Sequence, residues 1–506
     1  MTSLDRFRAV IKSRDRHVYG PAARELRQWM MAHDPHWPTY HFLGPESWTN
    51  DANGPIFYQG RYHLFYQFDP IVAGARSPRT WGHAISDDLV HWEDWPVALW
   101  PDTLYDRGGV YSGNTFVLDD GALGALYTGN VDGHGEAHGI FARSTDQGLT
   151  WHKQMVMHNS QRPNPHSPVH WDAQVWREDD AWFQLIGGCT DGADRQGAAY
   201  LWRSPDLQKW TLCANIAPTI RLGSYWELPY LIDLGGRHVL MVGQGNPYWI
   251  GTYDRARMRF TPDQPEPLQF DTGNYYAVNP HMVDNKGPDG SQRRLLFAWV
   301  TGPPSPTSAT SDCVPYWQGA IALPRVLTLK DNRVWQEPIP ELQQLRGRHF
   351  AFDSWESARV GLRAVQGDTL EIRATFLPAS ASMDRQASIG LKLRVSEDGA
   401  DFVRIFYDVA FGEFGVDGPT VARNAQESVH DRQGIRLERQ HAYLRPGEPV
   451  TMHIFLDRSI VEVFVSGSAY TARAFPPSDA FGIELCAASD FVTLTRLDIW
   501  ELKSIW

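Results

Sequence analysis

Three short stretches begin with Ser, place Asp two residues on and close on Trp: SDDLVHW from Ser86, STDQGLTW from Ser144 and SPDLQKW from Ser204. A related strand–turn unit, GTYDRARMRF, begins at Gly251. Successive units lie roughly 50–60 residues apart, a repeat length suited to a four-stranded propeller blade with long loops. The Ser-x-Asp start suits an Asx-type turn, and the Trp is placed to pack between neighbouring blades. From about residue 40 to 340 the chain reads as short alternating strands, such as GVYSGNTFVL, AWFQLIGG and RRLLFAWV, divided by Gly, Asp, Asn and Pro turns. Four units plus a segment such as GAIALPRVLTL predict five blades. An ordinary sandwich with chance similarity is the competing architecture.

The flanks differ. Residues 21–33 read as a helix with Pro21 in its first turn and Ala22, Leu26, Trp29 and Met30 on one face, giving a helical extension over 1–36. QEPIPELQQLRGRHF (336–350) carries Pro punctuation and a short helical stretch, and reads as a connector with the linker at 341–350. Beyond it Trp thins out and the strands lengthen, as in TLEIRATFLPA, IGLKLRVS and VTMHIFLDRSIVEVFVSGSAYTARAF, where LDRS turns one strand into the next. The expected fold is therefore all-β: a five-bladed β-propeller over 37–340 followed by a C-terminal β-sandwich over 351–506. The sandwich is expected to prop the propeller, with sugar binding or dimer formation as its alternatives.

Composition excludes several classes. The net charge of −12 and the lack of a dense basic stretch argue against nucleic acid and anionic membranes. No run approaches the roughly 18 apolar residues that span a bilayer. Residues 1–20 carry Asp5, Arg6, Arg8, Lys12, Arg14, Asp15 and Arg16, so no apolar signal region is seen and a cytoplasmic protein is expected. Cys189, Cys213, Cys313 and Cys486 are scattered without metal spacing, which predicts free, mostly buried thiols. The 21 Trp suit sugar faces and β cores alike.

Three acids stand out. Asp51 lies in SWTNDANGPIFYQGRYHLFYQFDP, where Asn53-Gly54 signals a hairpin and Ile56, Tyr58, Tyr62, Leu64 and Tyr66 alternate. Asp172 lies in VHWDAQVW and Glu227 in GSYWELPYLIDL, beside Trp226. Each has a structural alternative: a turn for Asp51, a capped turn for Asp172, a pair with Arg221 for Glu227. Blades bring their inner strands to one funnel, however, and unpaired carboxylates in aromatic, apolar strands are costly to bury. Two carboxyls flanking a glycosidic bond are the minimum for glycoside hydrolysis, one ionised and one protonated. An apolar wall beside Trp226 suits Glu227 as acid/base, while Asn50, Asn53 and turn amides suit a charged Asp51 as nucleophile.

WTNDANG, YHLFYQFDP, WGHAISDDLVHWEDWPVAL, YSGN, SYWELPYLID, YWQGAIALPRVL and FLDRSIVEVFV resemble, in order and spacing, glycoside hydrolase family 32. That family contains the invertases, sucrose-6-phosphate hydrolases, fructanases and related fructosyltransferases. The likeness spans residues 37–500 or so. It implies retaining chemistry at fructofuranosyl C2 on a small sugar substrate, without metal or cofactor. By this resemblance Asp51 is the nucleophile, Glu227 the acid/base and Asp172 the transition-state stabiliser. Asn50, Gln67, Trp48, Trp81, Ser112 and Gly113 match pocket-lining positions, and Trp317 helps close the pocket. The chain departs from the family pattern at Thr49 and Ala52, at Trp171-Asp172-Ala173, where Trp171 replaces an Arg beside the pocket acid, and at Glu227-Leu228, where Leu replaces Cys. A planar indole cannot make a guanidinium's bidentate bonds.

The expected activity is release of terminal β-D-fructofuranosyl units from sucrose or short fructo-oligosaccharides. Transfer of fructose to a sugar acceptor on the same site, a non-catalytic carbohydrate-binding homologue and a five-bladed enzyme acting on arabinose polymers are the alternatives.

Overall fold

A computed structural model describes residues 2–132, 135–164, 172, 174–192, 195–218, 222–243, 245–287, 290–311, 314–378, 388–422, 439–445, 447–486 and 492–506. The Ser-x-Asp units are turns of one kind. Asp88, Asp146 and Asp206 each take their own N–H to the Ser hydroxyl two residues back, at 3.1–3.4 Å. Their carboxylates then accept N–H groups from further along the turn, such as His91, Thr150 and Lys209. The residue after each Asp (Leu89, Gln147, Leu207) takes positive φ. The side-chain bonds hold these turns in a conformation that non-glycine residues visit rarely. The closing Trp packs as the repeat predicts: Trp151 meets Phe65 of the first sheet edge-on at 5.9 Å, and Trp210 enters the core between the second and third sheets.

Among the described residues, five sheets of four to six strands, antiparallel but for one pair in the first, succeed one another from Ser47 to Pro338, besides a two-stranded ribbon at 71–76. The first carries β1 (Ser47–Ala52), β2 (Ile56–Tyr58) and β3 (Arg61–Asp69). Both β1 and β2 pair with the same edge of β3. The hairpin therefore turns at Gln59–Gly60, both with positive φ, and not at Asn53–Gly54. Gly54 instead lets the second sheet approach, because a Cβ there would lie 2.2 Å from the Thr115 nitrogen. Residues 317–321 close the ring: Trp317 and Gln318 pair with β1, while Ala320 and Ile321 pair with Val300 and Trp299 of the fifth sheet. Gly319, at φ +79° with the Thr49 carbonyl 2.0 Å from its virtual Cβ, is the crossing point.

At the N-terminus, α1 (Ser3–Val10) and α2 (Arg16–His33) form a helical pair. The second helix starts earlier than its periodicity suggests, capped by Asp15, so Pro21 lies inside it. It docks on the first sheet through a buried bidentate pair, Arg27 to Asp94 at 2.7 and 2.8 Å. Segment 341–350 is a 3-10 turn (Pro340–Leu345) running directly into strand Arg346–Phe352 of the sandwich. Seven- and five-stranded sheets enclose its core, with Leu370, Ile372, Ala374 and Phe376 facing Leu391, Leu393 and Ile405. Of the described thiols, Cys189 is buried but Cys213 and Cys486 are only half-buried; Cys313 lies outside the described residues. Among the described residues no helix is long and apolar enough to cross a membrane.

The two domains share a buried polar seam built on the LDRS turn. Asp457 accepts the backbone N–H groups of Thr39, Tyr40 and His41 at 2.7–2.8 Å. Arg458 donates to the carbonyls of Met31 and Trp37, and Ser459 to that of His36. His41 bridges Asp457 and Glu462, and Arg325 reaches Asp271 and Glu462. Burial alone would lower His41 and raise the two sandwich acids. The hydrogen bonds and opposite charges prevail, holding His41 above and Asp457 and Glu462 below their ordinary values.

Two predictions follow from this seam. Arg325→Met strands buried carboxylates and is expected to cost about 3–5 kcal/mol, read by chemical denaturation. The raised His41 contributes stability below its unfolded value and loses it as pH rises through the folded one. The depressed acids contribute above their unfolded values and lose it as pH falls. The contribution of these three groups to Tm should therefore be greatest between about pH 4.3 and 6.5, and His41→Gln should flatten the alkaline decline.

Candidate active site

Asp51 sits where a strand loses its regular register, and Asp172 and Glu227 sit just ahead of strands. Asn50 and Asp51 occupy a bulge between Thr49 and Ala52 on β1. Tyr111 and Ser112 occupy another, in strand Gly109–Val117 of the second sheet. Asp172 has φ +68° just ahead of strand Gln174–Glu178, and Leu228, next to Glu227, has φ +50°. Such conformations cost roughly 1–3 kcal/mol each and re-aim side chains out of the sheet pattern.

Asp51 is buried, and its Oδ2 accepts the Ser112 hydroxyl at 2.5 Å. Ser112 Oγ also lies 3.1 Å from Gln67 Oε1, which accepts Asn50 Nδ2 at 3.4 Å. Gln67 is fixed in turn by donating to the Val110 carbonyl. Asn53, oriented to satisfy its neighbours, donates to Ser112 and accepts from the Gln67 N–H and the Trp81 indole. Asn50 and Asn53 thus hold the residues around Asp51 and do not bond its carboxylate. Burial raises Asp51 above the ordinary aspartate value, against the Ser112 hydrogen bond and the charge of Arg79.

Glu227 is half-buried, and its Oε2 accepts the Tyr276 hydroxyl at 2.7 Å. Its value is also raised, first by burial and further by Asp51, with Tyr276 and Arg79 opposing. The apolar wall is not Trp226. That ring points into the core between the third and fourth sheets, stacked 5.5 Å from Trp249. Asp172 is buried and stands well above the ordinary value, through burial and then the charges of Glu227 and Asp51. Its backbone N–H donates to Thr128 Oγ1 at 3.2 Å. Asp51 acts on both Glu227 and Asp172, and Glu227 on Asp172, which ties the three carboxyls into one group.

The remaining candidates divide. Trp48 is half-buried beside Trp299, Arg76 and Arg79, at the edge of the cluster. Trp81 does not line it: wholly buried between the first two sheets, it shares its one indole N–H between Asn53 and the Tyr111 carbonyl. Gly113 serves packing, since a Cβ would meet the Leu126 carbonyl at 2.1 Å. Trp317 does not close the site either. It is wholly buried against Trp37 and donates to Asp34 at the end of α2. Trp171, Ala173 and Arg221 lie outside the described residues. Tyr276 and Arg79 escaped the sequence reading; the paired tyrosines opening strand Tyr275–Asn279, the inner strand of the fifth sheet, were the available signal for the first.

Among the described residues one other group gathers potential ligands: Glu136, His138 and His158. Backbone N–H groups of Asn159 and Ser160 point at the two Nδ1 atoms, at 3.3 and 3.2 Å. That leaves the protons on Nε2, and His138 Nε2 faces Glu136 at 3.1 Å. The trio is a hydrogen-bonded cluster whose tautomers do not suit a cation.

The family model for the glycosyl hydrolases family 32 N-terminal domain matches residues 41–338, and that for the family 32 C-terminal domain matches 341–501. The chain is 30% identical to a levanase of Bacillus subtilis (strain 168) over 93% of this chain and 71% of that protein. It is 29% identical to a raffinose invertase of Escherichia coli over 92% and 95% of the two chains. The solved structure of a sucrose-6-phosphate hydrolase from Lactobacillus gasseri superposes with a TM-score of 0.78 at 24% identity, covering 100% of both chains. This last likeness shows the fold: an N-terminal β-propeller and a C-terminal β-sandwich.

Proposed function

The chain belongs to glycosyl hydrolase family 32, and on that footing we propose a retaining glycosidase that releases terminal β-D-fructofuranosyl units from sucrose or short fructo-oligosaccharides. The observation that carries this reading is the unequal setting of three carboxyls in one cluster. Asp51 holds a serine hydroxyl, Glu227 a tyrosine hydroxyl, and Asp172 feels the charge of both. All three stand above their ordinary values, Asp172 furthest, and Asp51 and Glu227 differ in their hydrogen-bond partners and in the charges acting on them, which supports two distinct roles on one site. The levanase and raffinose invertase relatives support the sugar class.

In the first step Asp51 attacks the anomeric C2 while Glu227 gives its proton to the departing glycosidic oxygen. The C2–oxygen bond breaks and a fructosyl ester of Asp51 forms. In the second, the ionised Glu227 takes a proton from water, which attacks C2 and releases Asp51. Asp172 bonds ring hydroxyls most strongly in the oxocarbenium-like transition state. Asn50 and Gln67 hold Ser112, and through it the nucleophile.

Incubation with sucrose, sucrose-6-phosphate, 1-kestose, inulin and levan, with product identification, tests the function. Fructose release supports hydrolysis, oligosaccharide growth at high sucrose indicates transfer, and no turnover of any of them refutes the glycosidase. Asp172→Asn is expected to lower kcat more than it raises KM; a change in KM alone would contradict its role.

The pH profile gives a second check. Activity falls as pH drops through the value of Asp51, which must be ionised, and as it rises through that of Glu227, which must hold a proton. Ser112→Ala removes a bond that lowers Asp51, so the acid limb of kcat/KM should move to higher pH. Tyr276→Phe removes the bond that lowers Glu227, so the alkaline limb should move up while the acid limb stays.

A further inference from the structure

Three buried or half-buried carboxyls in one cluster repel one another, and burial makes each harder to ionise. Among the described residues a single cation acts on all three, Arg79. It stands one residue ahead of strand Thr80–Ser86 in the first sheet. Its carbonyl accepts the Val110 N–H at 2.8 Å, which ties it to the strand bearing Ser112. Its guanidinium carbon lies 5.3 Å from the Trp48 ring centroid and 4.8 Å from that of Tyr111. Two aromatic faces, one from each sheet, thus hold the cation by its ring contacts.

The ion pair of Arg79 with Asp69 is a long one. Nε is buried with no hydrogen-bond partner among the described residues, and the nearest paired carboxylate, Asp69 Oδ1, is 4.0 Å away. Asp69 is itself raised to about 6, by burial against the charges of Arg79 and Arg76. Arg76 sits further out, exposed over Tyr316 at 4.3 Å. The charged and titratable groups around Arg79 are therefore Asp51, Asp172, Glu227, Asp69, Arg76 and Tyr111. A guanidinium suits this place because it stays charged throughout the working pH range and stacks flat on rings.

We propose that Arg79 is the counter-charge of the acid cluster: held between Trp48 and Tyr111, it is a positioning residue that keeps Asp51 ionised beside Asp172 and Glu227. Its kinetic consequence rests on the glycosidase function proposed above. No covalent step passes through it. It acts by its field, which favours the charged form of every acidic neighbour and is strongest where water is excluded.

Removing the charge raises all three acids together, so both limbs of the profile move the same way. This separates Arg79 from Ser112 and Tyr276, each of which acts on one limb. The test compares wild type with Arg79→Met, Arg79→Gln and Arg79→Lys on whichever fructoside turns over, as kcat/KM against pH. The neutral variants are expected to move both limbs up by about one pH unit and to lose at least ~10-fold in kcat, while Arg79→Lys keeps both limbs near wild type. Limbs that stay in place in a folded neutral variant overturn the proposal, whatever the loss of rate, and Arg79→Gln serves if Arg79→Met does not fold. If wild type turns over none of the fructosides, the function reading fails but Arg79 can still be judged. Difference infrared titration of the protonated-carboxyl band, wild type against Arg79→Gln, should show the buried carboxyls titrating at higher pH; an unchanged titration refutes the role.

Discussion

The inner strands of the propeller are stitched across its axis by buried amides. Asn279 donates to the Ala52 carbonyl at 2.7 Å and to Asn114, and Asn114 donates to the Tyr230 hydroxyl at 3.0 Å. Gln174 both donates to and accepts from the backbone of Leu231. Each such group would be expensive to leave unpaired in the dry interior, so the spacing of the inner strands is narrowly fixed. The cluster residues come one to three positions before these stitches: Asp51 before Ala52, Ser112 before Asn114, Asp172 before Gln174, Glu227 before Tyr230 and Tyr276 before Asn279. The stitches set the frame, and the irregular residues just upstream turn the acids away from the sheets. Strain at the bulges and positive-φ positions is tolerated because the next residues on each strand are locked.

Much of this was legible in the chain. The Ser-x-Asp…Trp units announce their turns because the side chain supplies the bonds that define them, as at Asp88, Asp146 and Asp206. Asp51, Asp172 and Glu227 stood out because carboxylates are rare in aromatic strands. What failed was orientation. Trp81, Trp226 and Trp317 lie next to site motifs, yet their rings point into the cores. A one-residue bulge reverses which face a side chain takes, and no propensity scale registers it. Asn53-Gly54 misled for a related reason: the positive φ of Gly54 is used for close approach to the second sheet, while Gln59–Gly60 makes the reversal. Arg79 was invisible because its partners come from three distant segments, with nothing in its own neighbourhood to mark it.

The sandwich is more than a prop at the level of contacts. Arg325, paired with Glu462, lies with its guanidinium carbon 4.1 Å from the Tyr275 ring centroid. Tyr276, the next residue, bonds Glu227. The Glu227 side of the cluster is thus two residues removed from a buried charge network whose carboxylates come from both domains. The Asp51 side has its own support, from the ring closure at residues 317–321 against β1.

The LDRS clasp has a consequence for how the chain is made. Asp457 holds residues 39–41, more than four hundred positions earlier, and Arg458 holds the end of α2. A chain emerging from the ribosome carries its whole propeller before the residue that fastens the first segment exists. The opening strands must therefore wait, unclasped, for most of translation. In a fold with such long-range contacts, that interval is when stray pairing of unprotected strand edges is most probable.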